Sequence, residues 1–169
     1  LCLTTAFLGF IYSISFTTAA VTLFMLALMP FLASIIAFIF LSEKISAQNF
    51  LSMVVALIGT VIMIYASSFS GSIFGLIMGF ISSLGFAAFS VTLRSKSDYK
   101  KFYILVYGGV FCALISSTLM IFQDQSFFIP LKNIFLSICH GVIVASGLIL
   151  FSIGSKQLLS GELTMLSLL

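Results

Sequence analysis

No Asp, Glu, Lys, Arg or His occurs before Glu43, and so long an uncharged apolar stretch restricts the chain to one kind of solvent. A single helix over Leu1 to Leu41 would extend about 60 Å, far beyond the hydrocarbon thickness of a bilayer. The stretch must therefore turn, and the Ser15, Thr17, Thr18 cluster marks the place. The same limit applies from Leu131 to Leu169, where Gly154, Ser155, Lys156, Gln157, Ser160 and Gly161 gather between two apolar segments.

With 62% hydrophobic and 7% charged residues and a mean hydropathy of +1.33, the chain cannot present a water-compatible surface. A transmembrane β-barrel would alternate apolar and polar residues in segments of about ten, whereas these runs are apolar on every face. The expected fold class is all-α, a polytopic transmembrane helical bundle whose first partner is the lipid bilayer. Cys2, Cys112 and Cys139 lie in apolar runs without CxxC spacing and read as small hydrophobes. No cofactor, metal or nucleic-acid partner is implied. No basic segment precedes the first apolar run, so a removable signal peptide is not expected. Both ends fall inside apolar stretches, as in a piece of a longer chain.

Length and polarity predict about seven crossings: Leu1 to Ile14 (incomplete), Thr17 to Leu41, Ala47 to Tyr65, Ile73 to Leu93, Phe102 to Phe122, Asn133 to Gly154, and Leu158 to Leu169 (incomplete). Ser46 and the Ser70-Gly71-Ser72 stretch punctuate two of the helix starts. Lys44, then Arg94, Lys96, Lys100 and Lys101, then Lys156 fall in alternate loops, and only Lys132 of the seven basic residues falls elsewhere. Cytoplasmic loops hold the excess of Lys and Arg, which places the Lys44, Arg94 and Lys156 loops inside. Glu43, Lys44 and Asp98 read as solvated interfacial anchors.

Gly71, Gly75, Gly79 and Ser83 recur every four residues and predict a close-packing seam. Gly109, Ala113 and Ser117 make a similar stripe on the next helix, and Ser137, Gly141 and Ala145 another on the one after. Pro30, in mid-helix, removes an amide hydrogen and clashes with the Leu26 carbonyl, which predicts a kink. The freed carbonyl either lines a polar cavity or is absorbed by packing. His140 and Glu162 are the ionisable side chains placed inside predicted spans, where such groups usually face the bundle interior. For His140 the competing readings are a satisfied neutral imidazole and a substrate or proton contact. For Glu162 they are a helix-N-terminal or snorkelled carboxylate and proton coupling or amine binding. Tyr12, Ser82, Ser83, Phe86, Phe89 and Ser90 are further sources of hydrogen bonds and aromatic surface, and each also suits plain core. No HExxH, GxSxG, P-loop, TVGYG filter or paired intramembrane carboxylate occurs, so no enzyme is expected.

Thr17-Thr18-Ala19-Ala20, Pro30 in mid-helix, Phe40-Leu41-Ser42-Glu43-Lys44-Ile45-Ser46, Gln48 and Gly59 follow in an order that resembles the drug/metabolite transporter superfamily, specifically its bacterial-type EamA domain. Gly71 and Arg94 resemble the opening of that family's second repeat. Ser42 stands where the pattern usually has Gly, and Ser52 where another Gly is common. The resemblance covers essentially the whole chain. It implies ten helices in two inverted repeats, with 1–67 holding helices three to five and 71–169 holding helices six to nine, the last truncated. The Ser15 loop is predicted outside and the corresponding Ser155 loop inside, the reversal that an inverted repeat requires.

The resemblance further implies a secondary transporter, an exporter of a small organic metabolite or drug, working by alternating access in the bacterial inner membrane. Its cavity lining would include Tyr12, Pro30, Ser83, Phe86, His140 and Glu162. Protons as coupling ion and a homodimer remain open. The competing reading is a non-transporting membrane protein whose small-residue seams serve assembly.

Overall fold

The computed structural model describes residues 1–43, 47–66, 72–95, 98–122 and 130–167. Lys44, Ser46, Ser70, Gly71 and Lys96 lie outside the described residues, as do the side chains of Gln48, Ser52, Asp98, Lys100 and Lys101. Eight helices follow one another among the described residues: α1 Cys2–Phe16, α2 Ala19–Ala27, α3 Met29–Leu41, α4 Ala47–Ala66, α5 Ile73–Ser95, α6 Asp98–Phe122, α7 Leu131–Gly154 and α8 Ser160–Leu166.

The break between α1 and α2 falls at Thr17 and Thr18, where the polar cluster predicts it. Thr17 is extended (φ −138°, ψ −170°), and the Thr18 hydroxyl accepts the Val21 amide at 3.3 Å, capping the new helix. Between α2 and α3 the chain barely turns: Leu28 stays helical in φ and ψ, and its amide reaches the Met25 carbonyl at 3.2 Å. Pro30 sits in the first turn of α3, where a missing N–H costs least. The kink predicted at Pro30 is thus a local break just before it.

Among the described residues, four apolar helices are long enough to cross a membrane: α2 and α3 taken together as Ala19–Leu41, then Ile73–Ser95, Phe102–Phe122 and Leu131–Gly154. Cys2–Phe16 is apolar but shorter. Where the sequence predicts a further span from Leu158, α8 runs for 7 residues.

α5 is the axis of the packing, contacted by α1, α2, α3 and α8. It runs antiparallel to α1: Gly85 faces Ala6 and Cys2, Gly9 faces Met78 and Ser82, and Gly75 faces Phe16 and Thr17. A Cβ at Gly9 would stand 2.8 Å from the Met78 carbonyl oxygen, so the seam depends on backbones touching. The predicted seam is present at Gly75 and Gly79. The stripes on α6 and α7 are not seams among the described residues, where nothing lies within 4 Å of a Cβ built at Gly109 or Gly141. Of α7's 18-residue apolar window, 0% is buried. Small residues four apart mark a face that admits a close neighbour, but they do not supply the neighbour.

Ser42, after the last turn of α3, is the single described non-glycine residue with positive φ (54°). The next amide, Glu43 N–H, closes the helix end on the Ala37 carbonyl at 3.3 Å. A left-handed conformation costs an L-residue about 1 kcal/mol, which glycine avoids. Ser42→Gly is therefore expected to stabilise the bundle by about 1 kcal/mol, read as a raised midpoint of thermal unfolding in detergent; a lowered midpoint would contradict the cap geometry.

Candidate functional site

Three of the six predicted cavity residues, Ser83, Phe86 and Pro30, are packed inside the bundle, each among its own neighbours. Ser83, fully buried on α5, directs its hydroxyl to the Met25 carbonyl at the α2–α3 break and lies 3.1 Å from the Gly79 carbonyl. The Met25 carbonyl, which at the break accepts the Leu28 amide, thus also receives a hydroxyl from the neighbouring helix, one of the means by which a membrane bundle tolerates broken backbone. Phe86, one turn further, packs on the Met29, Ala33, Ala87 cluster and meets Phe7 edge to face at 5.6 Å between ring centroids. Pro30 is buried, and its carbonyl faces Gly161 of α8, beside Ser34 and Met53.

The other three lie apart. Tyr12 joins Phe16 and Phe74 in an aromatic group, with centroids 6.5 and 6.4 Å from its own. Glu162 turns back on its helix, its Oε2 accepting the Leu159 amide at 3.1 Å. That contact answers to the helix-terminal reading of this carboxylate. His140 is exposed on α7, about 13 Å along the axis from the helix start at 1.5 Å per residue.

His140 lines a groove of about 540 Å³ formed by α1, α6 and α7. Phe7, Phe102 and Leu105 supply apolar walls, and Cys112, Ser116 and His140 supply the polar edge. A mainly apolar concavity of this volume with a few convergent polar groups is what a small-molecule site requires. No group of three or more His, Cys, Asp or Glu side chains assembles a metal site among the described residues.

A polar node that the sequence reading treats as interfacial anchoring lies at one end of the bundle. Arg94, in the last turn of α5, forms an ion pair with Glu43, just beyond α3. The same guanidinium donates to the carbonyls of Leu158 and Ser155, the latter at 3.3 Å, in the α7–α8 connection. Glu43 Oε2 also accepts the Ser160 amide at 3.2 Å. The ion-pair side chains are only 24% and 14% exposed, so Glu43 is a structural tie rather than a solvated anchor. One signal for it was present in the sequence: Arg94 is the sole arginine, and a planar fork of donors suits several acceptors where lysine does not. The node brings the ends of α3, α5 and α7 together. The opposite end is closed by the Ser72 amide on the Phe16 carbonyl at 3.0 Å.

Compared with known protein families, curated proteins and solved structures, the chain matches none.

Proposed function

We propose that the chain is the central part of a secondary transporter that moves a small organic solute across a membrane by alternating access. The observation that carries this reading is the groove of about 540 Å³ with His140 on its wall. An ionisable side chain at mid-depth of an apolar helix is costly against lipid and is kept where it faces a cavity or a partner. The interrupted α2–α3 helix supports the same reading, since broken helices at mid-membrane are a recurrent element of transporter sites. The finer proposals follow the sequence pattern: seven crossings within a ten-helix EamA-type inverted repeat, the Arg94 end cytoplasmic, a bacterial inner membrane, and no covalent chemistry. Coupling to protons and export as the direction belong to the same proposal.

His140→Ala in the complete protein is expected to lower efflux of its solute about tenfold, equivalent to about 1.4 kcal/mol. The measurement is efflux from cells or proteoliposomes loaded with amino acids, nucleosides or cationic drugs. Unchanged flux for every transported solute would remove His140 and the groove from the mechanism.

A second reading is favoured by a different observation. The centre around Ser83 and Phe86 is closely packed, while the groove and the Gly109 and Gly141 stripes open outward. In a non-transporting assembly subunit those stripes would receive another helix. Gly141→Leu would then abolish association without altering the flux of any solute.

A further inference from the structure

Ser90 Oγ and Ser160 Oγ are buried and have no hydrogen-bond partner among the described residues, and both residues are at 0% exposure. Both adjoin the Arg94–Glu43 node. Ser90 lies one turn before Arg94 on the same face of α5, and Ser160 gives its amide to Glu43. A buried hydroxyl without a partner penalises the state that buries it, and hydration removes the penalty. The closed end of this bundle therefore carries two groups that water would satisfy. Among the contacts that hold it closed are partly exposed polar ones that water can replace: the ion pair, two carbonyl acceptors and one amide. Beneath the node, α8 meets α3 through Gly161, which lies on Ser34, Met53 and the Pro30 carbonyl with no side chain of its own to interlock.

We propose that the Arg94–Glu43 pair is the latch of a gate at this end of the bundle. When it breaks, the Ser155–Leu159 connection and the start of α8 separate from α3 and α5, and water reaches Ser90 and Ser160. The proposal concerns only the closure of this end and stands whether or not the chain carries a solute.

The test is cysteine accessibility in the complete protein reconstituted in liposomes, with Cys2, Cys112 and Cys139 replaced by Ala. Ser160→Cys, Ser90→Cys and Ser13→Cys are introduced singly and exposed to a membrane-impermeant maleimide from both sides. Ser13, buried on α1 and hydrogen-bonded to Thr22 at 3.0 Å, reports on the α1–α5 core away from the node. Adding Arg94→Gln is expected to raise the labelling rate of Ser160→Cys and Ser90→Cys about tenfold and to leave Ser13→Cys protected. The milder Glu43→Gln, which keeps the side-chain shape, is expected to raise it about threefold. Equal labelling with and without Arg94→Gln would overturn the latch. So would a parallel rise at Ser13→Cys, because the variant would then have lost packing throughout.

Discussion

Gly85→Leu is expected to separate α1 from α5 and to cost about 3 kcal/mol or more, the upper range for forcing extra atoms into a closed interior. The reason lies in what a side chain at this position would meet. An added Cβ stands 2.8 Å from the Ala6 amide nitrogen and 2.9 Å from the Cys2 carbonyl oxygen, and backbone cannot rotate out of the way. Gly85→Ala alone should cost about 1–2 kcal/mol, because steric displacement is offset in part by the better helix propensity of alanine. Gly9→Ala, meeting Met78 and Ser82 from the other side of the seam, should behave alike. Gly109→Ala and Gly141→Ala, with nothing within 4 Å, should be neutral or stabilising by up to about 0.5 kcal/mol. Thermal unfolding of the purified chain in one detergent gives all five values. Equal loss at Gly85 and Gly141 would show that the α6 and α7 stripes are already engaged and would remove the distinction between the two kinds of stripe.

That distinction is also where sequence and structure part. Both kinds of stripe have the same four-residue spacing, and spacing identifies a face without identifying what covers it. Gly75 and Gly79 have α1 and α2 opposite them; Gly109 and Gly141 have no neighbour within 4 Å among the described residues. The breaks were legible because they are local: Thr17 and Thr18 hold both the polar groups and the cap, and Pro30 forbids its own hydrogen bond. The end of α3 was legible as a turn, but not its left-handed Ser42, which serine tolerates and glycine would have announced. Of the six candidate cavity residues, Pro30, Ser83 and Phe86 are packed inside the bundle, and His140 alone lines the groove. Helical position predicts depth in the bilayer. It does not predict which of several similar apolar faces turns inward when nearly every face is apolar.

Arg94 was harder to read because its acceptors are separated from it by 51, 61 and 64 positions in the chain. No local pattern reports such a meeting, yet the second large effect is expected there. Arg94→Ala removes a cation and leaves Glu43 and two carbonyls short of a donor in a setting that is mostly buried. Deleting one partner of a fully buried pair costs about 3–5 kcal/mol, and the 24% and 14% exposure of this one reduces the expectation to about 2–3 kcal/mol. Arg94→Lys should recover about half of that, since a single ammonium supplies charge but cannot reach acceptors on both α3 and the α7–α8 connection in the geometry of a guanidinium fork. Glu43→Gln should cost least, about 1 kcal/mol, because a neutral amide oxygen still accepts from Ser160 or Arg94. The predicted order of unfolding midpoints is parent, Glu43→Gln, Arg94→Lys, Arg94→Ala. If Glu43→Gln proved as damaging as Arg94→Ala, charge alone would hold this end, and the carbonyls of Ser155 and Leu158 would have no energetic part. If the predicted order holds, the fork is what joins three chain segments far apart in sequence, and a lysine at this position would not have been enough.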